Sequence, residues 1–205
     1  SACYYEPGKN LGYLTGALYG YRQYMVSAKK KPLWVVVSNT DIEIKDSDFF
    51  LKMITNDYSE DIWCLAPSVY SASKKTYDNP QYTERISLSK LNRLIWIHER
   101  PLLAFLYAKL SKMKAKFTRK KKMGSRYVYS AHGCFFALRM PFIDLLKSDG
   151  YSGVLFSEEA YIAENILLSG GKAFYDSSLE VVHNDSSVTG LLKMSLKAEL
   201  VCESL

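Results

Sequence analysis

Five apolar residues, Leu33-Trp34-Val35-Val36-Val37, run straight into Ser38-Asn39-Thr40-Asp41. A short, β-branched run without a polar break predicts a buried strand, central in a parallel or mixed sheet. Ligands of open α/β sheets bind beyond the carboxyl ends of such strands. Asn39 and Asp41 stand at that end. A carboxylate there can hold Mg²⁺ or Mn²⁺, hard cations often shared with substrate phosphates. It equally suits a turn or a helix cap.

The rest of the chain reads as further α/β elements. Asn10 to Met25 carries Gly12, Gly16 and Gly20, which predicts a loop running into a helix. Asp46-Ser47-Asp48 predicts the cap of a helix reaching about Asn56. Ile62–Pro67 is a second short strand, and Ser68–Glu84 reads as a long polar loop. Apolar periodicity from Ser87 to about Lys116 predicts two helices divided at Pro101. Tyr127–Leu138 reads as strand, turn and strand around Gly133, and Pro141–Lys147 as a short helix. Val154-Leu155-Phe156 leads into a helix over Glu159–Ser169, capped by Ser157 and ended by Gly170-Gly171. Ala173–Tyr175 and Glu180–Val182 predict two strands, and Thr189–Leu205 a closing amphipathic helix.

Several side chains in this pattern can do chemistry. Glu158 and Glu159 are adjacent carboxylates at a helix start, so mutual repulsion raises one pKa. That tuning suits a general base, and the same pair also complements a helix dipole. His183 follows a strand and can ligate a metal, or sit as an ordinary surface or core residue. His132, before Gly133, is open to the same two readings.

Composition limits the alternatives. At 205 residues, 48% hydrophobic and 23% charged, the chain has the apolar content for one core. Its four cysteines are scattered without CxxC spacing, which predicts free thiols in a reducing cytosol rather than a zinc site. No apolar run reaches the ~20 residues that span a bilayer. The net charge of +6 is local: Lys112–Arg126 is rich in Lys and Arg and has no acidic residue. With the apolar stretch 101–110 before it, that run fits peripheral docking on anionic lipid at the inner face of a membrane, or a solvated loop. No DNA- or RNA-binding motif accompanies it, so nucleic acid is not an expected partner.

Taken in order, these motifs give the chain a family resemblance. Asn10-Leu11-Gly12 with Gly16 and Gly20, then Asn39-Thr40-Asp41 at a strand end, resembles the glycine loop and Asp-x-Asp variant of family-2 glycosyltransferases. Gly133-Cys134-Phe135-Phe136-Ala137-Leu138-Arg139, Phe156-Ser157-Glu158-Glu159 and Val181-Val182-His183 are similar to its later motifs. In particular, the chain resembles bacterial rhamnosyltransferase-like enzymes of surface-polysaccharide assembly. The resemblance implies a GT-A-like (Rossmann-like) mixed sheet flanked by helices over 1–205, with a helical and basic insertion at 87–126.

The resemblance also implies roles. Asn10, Gly12, Gly16, Asn39 and Asp41 would bind a nucleotide-sugar donor. Asp41 and His183 would hold a divalent Mg²⁺ or Mn²⁺, and His132 and Gly133 would line the side of a glycan or lipid-linked acceptor. Glu159 stands where the family has a catalytic aspartate, one methylene longer, with Glu158 as competitor. The family's first strand–helix–strand unit, which holds the nucleotide base, has no match here, so the chain is expected to begin after it. Two other functions stay open: a sugar-phosphate nucleotidyltransferase, whose glycine-rich basic signature is absent, and a non-catalytic basic module binding anionic lipid.

Overall fold

The computed structural model describes residues 3–117, 120–146, 151 and 158–184. Its elements in chain order are α1 (Tyr13–Ser27), β1 (Trp34–Ser38), β2 (Ile42–Glu43), α2 (Phe49–Thr55), β3 (Ile62–Ser71) and β4 (Thr76–Tyr77). They continue with α3 (Leu88–His98), α4 (Pro101–Phe117), β5 (Arg126–Val128), β6 (Phe135–Arg139), α5 (Met140–Leu145), α6 (Glu158–Leu168) and β7 (Lys172–His183). The fold class is mixed α/β. One seven-stranded sheet has the path β1-β6-β3-β7-β2, with β4 added on β3 and β5 on β7.

Alternation across the strands divides the core in two. In β6, Phe136 and Leu138 face α1, α5 and α6, where they meet Leu14, Phe142 and Ile162. Phe135 and Ala137 face the other way, toward Phe49 and Met53 of α2. Both faces are therefore covered, which explains why the strands read as unbroken apolar runs. Among the described residues no helix is long and apolar enough to cross a membrane.

Several expectations change. Among the described residues β1 is not central: it ends the strand path and pairs only with β6. Burial on two faces needs helices above and below, not a strand on each side, so the apolar run could not reveal an edge. Gly16 and Gly20 lie inside α1, which starts right after Gly12; only Gly12, at φ 76°, uses a left-handed backbone. The Asp46 carboxylate accepts the Asp48 N–H and so forms a turn ahead of α2; Asp48, at the cap position, makes no side-chain cap bond.

The long polar loop is shorter than expected, because β3 continues to Ser71 and turns back through β4. The two expected strands after Gly171 are one strand, β7. Its pairing with β3 jumps from Pro67–Asp176 to Ser68–Glu180, a bulge stabilised by Asp176 accepting the Ser178 N–H and Oγ–H. The expected strand at 154–156, its Ser157 cap and the helix at 189–205 lie outside the described residues.

Candidate functional site

Strand direction assembles the site. β6 runs antiparallel to both β1 and β3, and β3 runs parallel to β7. The carboxyl ends of β1, β3 and β7 therefore meet the amino end of β6 at one end of the sheet. That end receives Asn39–Asp41, the turn at 130–134 and His183.

Asp41 and His183 are neighbours. The Asn39 N–H donates to the Cys134 carbonyl at 2.9 Å and the Asn184 N–H to the Asp41 carbonyl at 3.0 Å, while β2 pairs Ile42 with His183. Held this way, His183 Nε2 lies 3.3 Å from Asp41 Oδ1, with the side chains only 12% and 17% exposed. His132 comes in from the turn, its ring edge-on to that of His183 at 6.2 Å between centroids. Its Nδ1 accepts the Cys134 N–H at 3.2 Å, which leaves the proton of the neutral ring on Nε2.

The turn itself is pinned by Asn79, a residue whose part in the site the sequence did not disclose. Buried Asn79 accepts the His132 N–H at 3.0 Å and donates to the Pro67 carbonyl at 2.7 Å. One side chain thus ties the turn to β3.

Glu159 enters from the first turn of α6. Its Oε1 accepts the Gly133 N–H at 3.1 Å. A Cβ at Gly133 would stand 2.6 Å from that oxygen, so the carboxylate occupies the space of a missing side chain. Burial, and then the charge of Glu158, push the Glu159 pKa up to about 7; the backbone hydrogen bonds oppose this. Repulsion by the neighbour was the expected cause, and desolvation outranks it. Glu158 is also raised by burial, but it points elsewhere: its Oε2 accepts the Tyr151 hydroxyl at 3.2 Å. The two acids diverge, and only Glu159 touches the turn that carries His132.

Tyr13, the first residue of α1, joins the halves. Burial raises its pKa, followed by the charges of Cys134, Glu158, Glu159 and Asp41. Its hydroxyl is buried and has no hydrogen-bond partner among the described residues. One of sixteen tyrosines, it carried no signal in the sequence. Asn10 accepts the Gly12 N–H at 2.9 Å, making the turn that delivers the chain into Tyr13. Gly16 has open space where a Cβ would lie, so no neighbour requires glycine there.

Among the described residues no three His, Cys, Asp or Glu side chains form a metal-binding group. Asp41 and His183 nevertheless suit an ion shared with a ligand. Two donors each about 2.1 Å from an ion, at a right angle, lie about 3 Å apart. At a separation of 3.3 Å, Asp41 and His183 would both be able to ligate one Mg²⁺ or Mn²⁺. Comparison with protein-family models, curated proteins and solved structures finds no match for this chain.

Proposed function

We propose that this chain is the catalytic portion of an inverting glycosyltransferase of GT-A-like fold, transferring a sugar from a nucleotide-sugar donor to an acceptor hydroxyl. One observation carries the reading: a single turn reaches both acids, its Gly133 N–H bonded to Glu159 at 3.1 Å and its His132 ring set against His183, which lies 3.3 Å from Asp41. The metal-binding candidate and the candidate base therefore flank one turn at the sheet end.

The roles follow from the side chains. Glu159, with a pKa near 7, is matched to accepting a proton at neutral pH. As the acceptor oxygen bonds to the anomeric carbon, the bond from that carbon to the diphosphate breaks and the hydroxyl proton passes to Glu159. Asp41 and His183 would hold the divalent ion, which when bound offsets charge on the departing diphosphate. The Gly133 N–H fixes the Glu159 carboxylate, and His132 borders the same turn on the acceptor side.

The test is a thermal-shift panel of nucleoside diphosphates with Mn²⁺, followed by transfer assays. Ligand bound to the native state raises the melting temperature by mass action. Asp41→Ala is expected to remove both the Mn²⁺-dependent shift and transfer. Unchanged transfer in that variant defeats the metal assignment, and the absence of any diphosphate response in the parent protein defeats the reading.

A further inference from the structure

The hairpin of α3 and α4 inverts the usual distribution of apolar residues. α3 has no buried residue. In α4, Leu102, Phe105, Leu106, Leu110 and Met113 are all exposed, Leu102 by 71% and Leu110 by 64%. Their spacing puts them on one stripe of the helix. Exposed Trp96 lies beneath the Arg100 guanidinium at 4.2 Å, an aromatic–cation pair suited to a water–lipid boundary. Packing among the described residues does not account for this stripe: neither of their core clusters includes a residue of α3 or α4.

Charge identifies what covers it. From Pro101 to Arg126 the sequence contains no Asp or Glu, while Lys109, Lys112, Lys114, Lys116, Arg119 and Lys120–Lys122 crowd its second half. Lys109 sits within the apolar stripe, where its long stem can lie along hydrocarbon with the ammonium at the headgroups. Lys122 is paired with Glu180, and Lys120 and Lys121 stay exposed. An apolar stripe followed by such clustered positive charge matches the surface of an anionic bilayer, where acyl chains take the stripe and lipid phosphates the lysines. A protein partner would need an acidic groove of matching shape, and no feature of the hairpin specifies one.

We infer that the α3–α4 hairpin lies flat on an anionic phospholipid surface, its Leu102–Met113 stripe in the acyl boundary and the exposed Lys109, Lys120 and Lys121 among the headgroups. Its position bears on the site. Arg85, just ahead of α3, donates to both carboxylate oxygens of Glu164 at 2.7 and 2.6 Å, tying the hairpin's entry to the helix that starts at Glu158 and Glu159. A docked hairpin therefore brings the membrane toward α6, and the acceptor it would serve is one carried on a lipid. That last step rests on the transferase reading; the docking does not.

Co-sedimentation with vesicles tests it. The protein is mixed with phosphatidylcholine vesicles, or with vesicles containing about 30 mol% phosphatidylglycerol. Binding is expected to the anionic vesicles, at least about tenfold tighter than to the neutral ones, and to weaken with salt. Lys120→Gln with Lys121→Gln is expected to lower partition by about fivefold per charge. Phe105→Ser with Leu110→Ser is expected to lower it by about tenfold or more. All four side chains are exposed, so melting temperatures should match the parent.

Equal partition into neutral vesicles, or no partition at all, overturns the inference. So does a parent dimer that Phe105→Ser/Leu110→Ser converts to monomer, because the stripe then belongs to a second copy. Transfer to a soluble acceptor is measured alongside. Its loss with vesicle binding intact removes only the transferase reading; the reverse removes only the docking.

Discussion

The sheet-end arc and the α3–α4 hairpin break the same rule in opposite directions. Around Glu159, Glu158, Asp41 and His183, ionisable groups are drawn out of water. On the hairpin, Leu102, Phe105 and Leu110 are left in it. Buried polar groups and exposed apolar stripes are the two informative departures from ordinary burial. The arc holds its departure by bonding: the Gly133 N–H on Glu159, Tyr151 on Glu158, and Asn79 on the turn. The hairpin holds its departure by an absence of core contacts. One region should thus be sensitive to single atoms, and the other to bulk character alone.

The sharpest way to break this contrast is Glu159→Gln. The amide keeps the shape and removes the proposed base, so on the transferase reading transfer should fall by about 10²–10⁴-fold. In the parent, the rate should rise with pH until Glu159 is ionised, levelling above about 7, and the variant should lose that rise. A variant with the parent's rate and pH profile would show that Glu159 is merely a buried acid.

A second effect is read in stability. Glu159 stays protonated in the folded protein up to about 7, against an ordinary value of 4.5. Between those values the unfolded chain releases its proton and the folded one retains it, so stability falls as pH rises through this window. The fall approaches about 3 kcal/mol and is complete above the folded pKa. Burial of Glu158 acts in the same direction. Denaturant melts at about pH 5 and pH 8 should show the parent losing stability and Glu159→Gln losing much less.

How much of this was legible in the sequence depends on what each feature requires. The β1 run, the break at Pro101 and the α6 start are local, and each appears within a residue or two of its expected place. The meeting of Asp41, His183 and the turn that carries His132 needs the parallel course of β1, β3 and β7, which no local pattern encodes. The edge position of β1 was hidden because helices, not strands, bury its faces. Asn79 and Tyr13 were hidden because their roles depend on what the fold brings to them. Each is an ordinary residue until the turn at 130–134 closes on β3 and α1 settles over Phe136.

Two glycines sharpen the comparison further. At Gly133, an alanine Cβ meets the far end of a flexible side chain, Glu159 Oε1 at 2.6 Å. At Gly171, it meets the Trp63 ring at 2.4 Å, and that ring is stacked on buried Phe142. Gly171→Ala should therefore lower stability by about 1–3 kcal/mol, because the ring cannot step aside without disturbing the core. Gly133→Ala should melt within about 1 kcal/mol of the parent. It should still lose transfer by about tenfold or more, because the carboxylate is moved off its position. If Gly133→Ala lowers stability as much as Gly171→Ala does, the Gly133–Glu159 contact is packing rather than positioning.

The smallest effect belongs to the hairpin. Leu102→Ser replaces a side chain that is 71% exposed, while Leu14→Ser replaces one with no exposure, beneath the sheet in the main core. Leu14→Ser leaves a cavity and a buried hydroxyl and should lower stability by about 3–5 kcal/mol. Leu102→Ser should change it by less than about 0.5 kcal/mol, since little apolar area was withdrawn from water on folding. The same substitution should improve solubility, because it interrupts an exposed stripe that favours self-association. If Leu102→Ser instead lowers the melting temperature as a core substitution does, the stripe is covered within the folded protein, and the contrast between the two regions disappears.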